Sequence, residues 1–247
     1  MKFFKIYLPI IMIILMVSST IGLAITADEI INKRDDNEYF QTARMEGEMK
    51  IVKGGRKMVK TMESISREGN SLVKFTNPRD RGTKFLKRGD NLFLFFPDAE
   101  DVVKLSGHML NQGMMGSDFS YQDMMEADKL TELYNFKLLG EEKINDRVCY
   151  KLEGIAKEGK EVSYYRRLAW IDKKRFIGLR EELYAQSGRL LKVSRVEKVD
   201  QIEERYFPVK TVMENKLRKN TETIFTIKSL DFNPEIPEGT FTLGNLQ

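Results

Sequence analysis

From Thr42 to Ile51 the chain alternates with a period of two. Ala43, Met45, Gly47, Met49 and Ile51 fall on one side, and Thr42, Arg44, Glu46, Glu48 and Lys50 on the other. That is the pattern of a strand with one dry and one wet face. Gly54-Gly55 turns the chain into a second run over 57–67, and Gly69-Asn70 turns it again into Leu72–Phe75. Asn77-Pro78 and Arg81-Gly82 bracket a loop, because proline lacks an amide hydrogen and glycine tolerates positive φ. Strands over 83–87 and 92–96 then form a hairpin around Gly89-Asp90. Leu92-Phe93-Leu94-Phe95-Phe96 is apolar on both faces, so it needs cover on both sides. The N-terminal helix and a methionine-rich segment are the expected covers. Strand pattern resumes over 136–141, 148–155, 163–171, 176–184, 190–199, 207–216 and 221–231, with polar turns such as Asn145-Asp146 between. The tail 232–241 is rich in turns. About a dozen strands with short connections predict one antiparallel meander, which must curl or close to protect its edges.

Helical signals interrupt the strands near residues 30, 110 and 125. Thr26 with Glu29 three residues on makes a capping box, and Ile30 and Ile31 give that helix an apolar side. Residues 107–131 lose the strand rhythm, with glycines at 107, 113 and 116. A second short helix is expected over 120–127, capped by Ser120 with Asp123 in the capping-box position. Met109, Met114, Met115, Met124 and Met125 fall within seventeen positions between and beyond those glycines. Methionine is flexible and polarizable, and it recurs on surfaces that must accept varied apolar shapes. The alternative is plain core filling.

The first 24 residues read as a cleavable signal peptide. Lys2 and Lys5 precede the apolar run Ile6–Val17, and small residues lead to a cut after Ala24, with Ala27 the second choice. An uncleaved anchor is the competing reading of this run. Residues 25–247 are then expected to form a single domain. The formal net charge is +4, of which Lys2 and Lys5 supply two. The remaining +2 and the lack of an Arg-rich or Lys-rich block argue against nucleic-acid binding. Cys149 is the single cysteine, so no internal disulfide forms. It sits in an alternating run, where a small buried residue is a better reading than a nucleophile.

Familiar catalytic constellations are missing. His108 is the single histidine, which excludes a multi-histidine metal site and a zinc site of ordinary Cys/His composition. A Ser-His-Asp arrangement would have to use His108 in the glycine-punctuated segment, a poor place to fix a base. Gly113-Met114-Met115-Gly116 lacks the lysine and the strand-to-helix setting of a phosphate loop. Neighbouring carboxylates such as Glu181-Glu182 and Glu203-Glu204 alternate across strands and read as solvated edges. A glycan-active or hydrolytic cleft depends on spatial pairing of carboxylates, which sequence leaves open. The expectation is a protein that is not an enzyme and uses no cofactor or metal.

Three segments carry a resemblance: Phe75-Thr76-Asn77-Pro78-Arg79-Asp80-Arg81-Gly82-Thr83-Lys84-Phe85-Leu86, Phe95-Phe96-Pro97, and Gly116-Ser117-Asp118-Phe119-Ser120-Tyr121-Gln122-Asp123. With Phe232-Asn233-Pro234-Glu235-Ile236-Pro237 and Phe241 they resemble the LolA-like outer membrane lipoprotein-sorting proteins. The resemblance spans residues 25–247. It implies a mainly β fold with a few short helices: a strongly curved antiparallel sheet forming an incomplete barrel, with helices as lid or plug, as in LolA and LolB. It further implies a periplasmic carrier that binds acyl chains of lipoproteins or other lipids in an apolar cavity. Such a carrier takes them from an inner-membrane export complex and passes them to an outer-membrane acceptor, as a monomer. The same fold serves lipid- or lipoprotein-sensing and protein-interaction modules, which is the alternative function. No residue here, Arg44 included, matches a lid arginine of the classical carrier by its flanking sequence. The expected cavity and lid residues are Phe85, Phe93, Phe95, Met109, Met114, Met115, Phe119, Met124 and Trp170. Alternation leaves open whether Phe93 and Phe95, or Leu92, Leu94 and Phe96, face the cavity. A sixteen-carbon chain would gain about 12 kcal/mol on leaving water, at roughly 0.8 kcal/mol per methylene.

Overall fold

The computed structural model describes residues 25–126 and 130–246. The predicted leader up to Ala24 lies outside these residues, and the second cleavage choice, after Ala27, falls within the first turn of the first helix. The first helix, α1 (Ala27–Glu38), starts at Thr26 with the expected capping box: the Thr26 hydroxyl accepts from the Glu29 amide, and the Glu29 carboxylate accepts from the Thr26 amide. It runs on to Glu38, and Arg34 pairs with that residue one turn on at 2.9 Å.

Thirteen antiparallel strands follow: β1 (Thr42–Lys53), β2 (Arg56–Arg67), β3 (Asn70–Phe75), β4 (Lys84–Arg88), β5 (Asn91–Phe96), β6 (Asp101–Leu105), β7 (Tyr134–Ile144), β8 (Arg147–Ala156), β9 (Arg166–Asp172), β10 (Gly178–Tyr184), β11 (Leu190–Ile202), β12 (Arg205–Asn215) and β13 (Thr221–Phe232). β6 has no counterpart in the sequence reading. Asp101-Val102-Val103-Lys104-Leu105 buries only its last residue and shows no alternation, so it is strand by pairing with β5 rather than by pattern. Asn145-Asp146 makes the β7–β8 turn as expected, with φ of 46° and 63°.

All thirteen strands lie in one curved, unclosed sheet, in the order β6-β5-β4-β3-β2-β1-β13-β12-β11-β10-β9-β8-β7. Every contact is between chain neighbours except β1 with β13, which pair from Ala43 and Phe232 to Lys53 and Thr221. The chain thus winds outward from a central β1–β13 seam, one half ending at β6 and the other at β7. These two edge strands are consecutive in sequence. The segment 106–133 must therefore travel from one edge of the open sheet to the other. It does so as 3₁₀ turns at Gly107–Asn111 and Met114–Gly116, then α2 (Tyr121–Glu126) and α3 (Leu130–Leu133).

Both helical parts lie on one face of the sheet. Ile30 and Ile31 of α1 pack on Leu152, Ala169 and Ile171, while the 107–126 segment packs on β1–β5. The opposite face is closed differently. Leu246 and Phe241 of the C-terminal tail pack with Leu72, Leu86, Phe93 and Phe95. The two-sided strand β5 is therefore covered by the methionine-rich segment and the tail. The helix α1, expected as one of its covers, sits instead over β8 and β9, because the sheet order puts β5 in the other half.

Candidate functional site

On the helix-bearing face, Met49, Ile51, Met62, Phe75, Phe85, Leu92, Leu94 and Leu105 form an apolar floor. Tyr121 and Met125 of α2 are buried in it, and Met109, Leu110, Met114, Met115, Phe119 and Met124 pack on it half-buried. Phe85 is fully buried, edge-on to Phe75 at 5.1 Å and to Tyr121 at 5.5 Å between ring centres, so it ties floor to cover. Phe119 meets Phe225 of β13 edge-on at 6.5 Å. The structure thus brings together Phe85, Met109, Met114, Met115, Phe119 and Met124. It does not bring in three other expected residues. Phe93 and Phe95 point to the opposite face, beneath Arg88 and Lys84, and Leu92, Leu94 and Phe96 take the inner positions. Trp170 also points away from α1, packed with Cys149 and Leu168, and its indole N–H donates to Glu142 at 3.1 Å. Period-two geometry requires this once Ala169 and Ile171 face α1.

The cover is a small folded unit. Gly113 and Ser120 form an isolated bridge, the Met114 amide donates to the Phe119 carbonyl at 2.7 Å, and the Tyr121 amide to Gln112 at 3.2 Å. The loop so closed presents Met114, Met115 and Phe119. A Cβ at Gly113 would lie 2.4 Å from the Ser117 carbonyl oxygen, so this neck requires glycine. Met115 itself holds φ 53°, a left-handed conformation unusual for its side chain.

Polar bonds pin the cover to the sheet. The Thr223 hydroxyl, fully buried on β13, donates to the Asp118 carboxylate at 3.0 Å and accepts from the Asp118 amide at 2.9 Å. Asp123 accepts from the Ser120 amide at 2.7 Å, the Tyr164 hydroxyl at 2.6 Å and Lys192 Nζ of β11 at 2.8 Å. The Ser120 hydroxyl returns the capping bond to the Asp123 amide, as the sequence predicted. Burial and the Asp123 charge push the Tyr164 phenol well above its usual range, so it remains a donor. Glu126 is buried, accepts from Gln122 and the Ser163 amide, and lies 3.9 Å from Arg167. Burial raises its carboxyl above the ordinary range. Arg167 is held at 2.9 Å by Glu181 and stacks over Tyr134 at 4.7 Å. None of these anchors beyond the Ser120–Asp123 box was singled out from sequence. Each pairs residues far apart in the chain, and only the sheet order brings them together.

Beside the cover lies a cleft of about 680 Å³. Its walls are the end of α1 (Asp35, Asp36, Glu38), the following Tyr39 and Phe40, the β2–β3 turn, Met124, Glu132 and Phe207. Asp35 and Glu38 both pair with Arg34. Among the described residues no group of His, Cys, Asp and Glu is arranged to hold a metal ion, and no helix is long and apolar enough to cross a membrane.

A family model described as "-like: Uncharacterized protein" matches residues 67–247. No curated protein matches the sequence. Among solved structures, a DUF1329 family protein from Desulfovibrio piger is 25% identical with a TM-score of 0.83, over 89% of this chain and 97% of its own. A putative outer membrane lipoprotein-sorting protein domain from Vibrio parahaemolyticus is 26% identical with a TM-score of 0.77, over 88% and 97%. A LolA superfamily protein from Nitrosomonas europaea is 26% identical with a TM-score of 0.75, over 90% and 100%. With the half-barrel, its helical cover and these matches in hand, the chain belongs to the family of that model and is similar over most of its length to LolA superfamily and lipoprotein-sorting structures, the resemblance that its sequence carries.

Proposed function

We propose that this protein is a periplasmic carrier that takes up acyl chains of lipoproteins or other lipids on the floor of the half-barrel and moves them towards the outer membrane. The observation that carries this reading is the segment 107–126. It spans an apolar floor with half-buried methionines and a phenylalanine, and its two 3₁₀ turns bury no residue fully. The cover occupies the place of the cargo. An acyl chain would displace methionine side chains from Phe85, Leu92 and Leu94 and leave the sheet unchanged. The magnitudes allow this exchange. Five half-buried side chains contribute about 5 kcal/mol, at roughly half of the 1.5–3 kcal/mol for full burial, against about 12 kcal/mol for a sixteen-carbon chain. The ordering of the chain and the opening of the anchors take up part of the difference, which keeps the cargo releasable. The lipoprotein-sorting description of the Vibrio parahaemolyticus relative supports the same reading. Transient contact with an inner-membrane export complex and an outer-membrane acceptor belongs to it, as does a carrier acting as a monomer without chemistry of its own.

Titration with a fluorescent fatty acid tests the reading. Saturable binding, competed by a lipopeptide, is expected. Absence of binding to any acylated ligand overturns the carrier and favours the protein-interaction module. Opening of the cover is tested by a double variant, Asp118→Cys with Thr223→Cys, at two positions whose side chains touch. Oxidised, it should take up no acyl ligand; reduced, it should bind again. Native Cys149 will not interfere, because it is buried and its thiol is pushed up to about 11 by burial and by the Asp172 charge.

A further inference from the structure

Resting on the carrier reading, we infer that the cleft beside the cover receives the polar head of the cargo, and that this head carries an ammonium group. Three features of the cleft converge on that chemistry. The first is charge. Asp36, Glu68 and Glu132 line it and make no ion pair among the described residues, whereas the paired Asp35 and Glu38 are occupied by Arg34. Among the described residues, Lys87 is the single basic one in the lining, and it is buried. The second is aromatic surface. Phe40, Phe207 and Tyr39 form part of the wall, and Tyr39 stands 61% exposed at the rim. Aromatic faces combined with carboxylates are the surroundings in which alkylammonium groups bind, through the ring quadrupole and the opposite charge. The third is continuity. Met124 lines the cleft and also packs on the apolar floor, so floor and cleft adjoin at this side chain of α2.

The placement of the acids argues that they serve a ligand. Asp35, Asp36 and Glu38 lie in the last turn of α1, which holds no basic residue apart from the Arg34 that precedes it. The C-terminal end of a helix is its negative end, and acids there cost stability. A departure from local stability rules at the lip of a cavity is the mark of a functional surface.

The test compares three single-chain amphiphiles with the same ten-carbon tail, all below their micelle concentrations: decyltrimethylammonium, decyl maltoside and decyl sulfate. Calorimetric titration into the purified protein should give a dissociation constant at least tenfold lower for the ammonium than for the maltoside at low salt. Decyl sulfate should bind weakest, and the spread should shrink as salt rises. The triple variant Asp36→Asn, Glu68→Gln, Glu132→Gln should bring ammonium and maltoside to equal affinity while leaving the maltoside value unchanged. Equal affinity for the two in the parent protein, or a preference that survives the triple variant, overturns the head-group assignment and leaves the carrier intact. No binding of any of the three overturns the carrier itself. Tight competition by an oligolysine peptide without an acyl chain also overturns the assignment, and hands the cleft to a basic segment of a protein partner.

Discussion

Asp172 shows how one side chain can set a corner of this sheet. It is buried at the end of β9, where burial alone would favour the neutral acid. The Arg147 guanidinium at 2.9 Å and the amides of Lys174 and Arg175 at 2.8 and 3.1 Å outweigh that, and its carboxyl lies below the usual carboxylate range. A depressed folded-state value means the unfolded chain binds the proton more readily. The contribution is therefore fully present above the ordinary value of 3.8 and is lost as pH falls below it through the folded-state value. Asp172→Asn should lower the urea-unfolding free energy at pH 7 by about 2–4 kcal/mol, since Arg147 is left unpaired and two amides keep a weaker acceptor. Repeating the measurement towards pH 3 should show the variant and the parent converging. In the sequence, Lys173-Lys174 reads as the turn between two strands, and that turn is where the structure has it. What organises it is Asp172 capping the turn, with Phe176 at φ 50° leaving it, and only the partner Arg147 at the start of β8 reveals that role.

Among the elements, the loop closed by Gly113 and Ser120 is the part whose stability can be changed separately from the sheet. It rests on two neck hydrogen bonds, the Asp118–Thr223 pair and half-buried side chains, whereas the sheet rests on continuous ladders. Gly113→Ala would drive a Cβ against the Ser117 carbonyl, so the neck must open. Hydrogen exchange at the 113–121 amides should then accelerate by about tenfold or more, an effect of at least 1.4 kcal/mol on local opening, while the global unfolding midpoint moves little. A global loss as large as the local one would show that the cover is part of the core. The glycines and methionines of this segment were visible in the sequence as a break in strand rhythm, and they are the cover. Its attachment points were not, because Thr223 and Lys192 look like ordinary strand residues until β13 and β11 are placed beneath it.

At the scale of the whole molecule, strands were legible because period two and the turns between runs are local signals, and twelve of the thirteen have a counterpart in the sequence reading. The faces were less so. Alternation says that Phe93 and Phe95 oppose Leu92 and Leu94, but not which pair meets the cover, and the choice is made by the tail packing Phe241 and Leu246 against the outer side. The two faces should therefore separate in function. Removing residues 235–246 should uncover Leu72, Leu86 and Phe93, seen as self-association in light scattering and as binding of a hydrophobic dye. Acyl-ligand affinity in the remaining monomer should stay within about threefold, less than 0.7 kcal/mol. The central seam has a consequence of another kind. Because β1 bonds to β13, and all other strands join the sheet outward from that pair, the first strand made has its inner partner only when the last one arrives. Almost the whole chain must emerge before the sheet can be completed, and closing so long a loop is slow. Until its final strand arrives, such a chain stays open along its β1 edge, where an unpaired strand can template pairing with another chain.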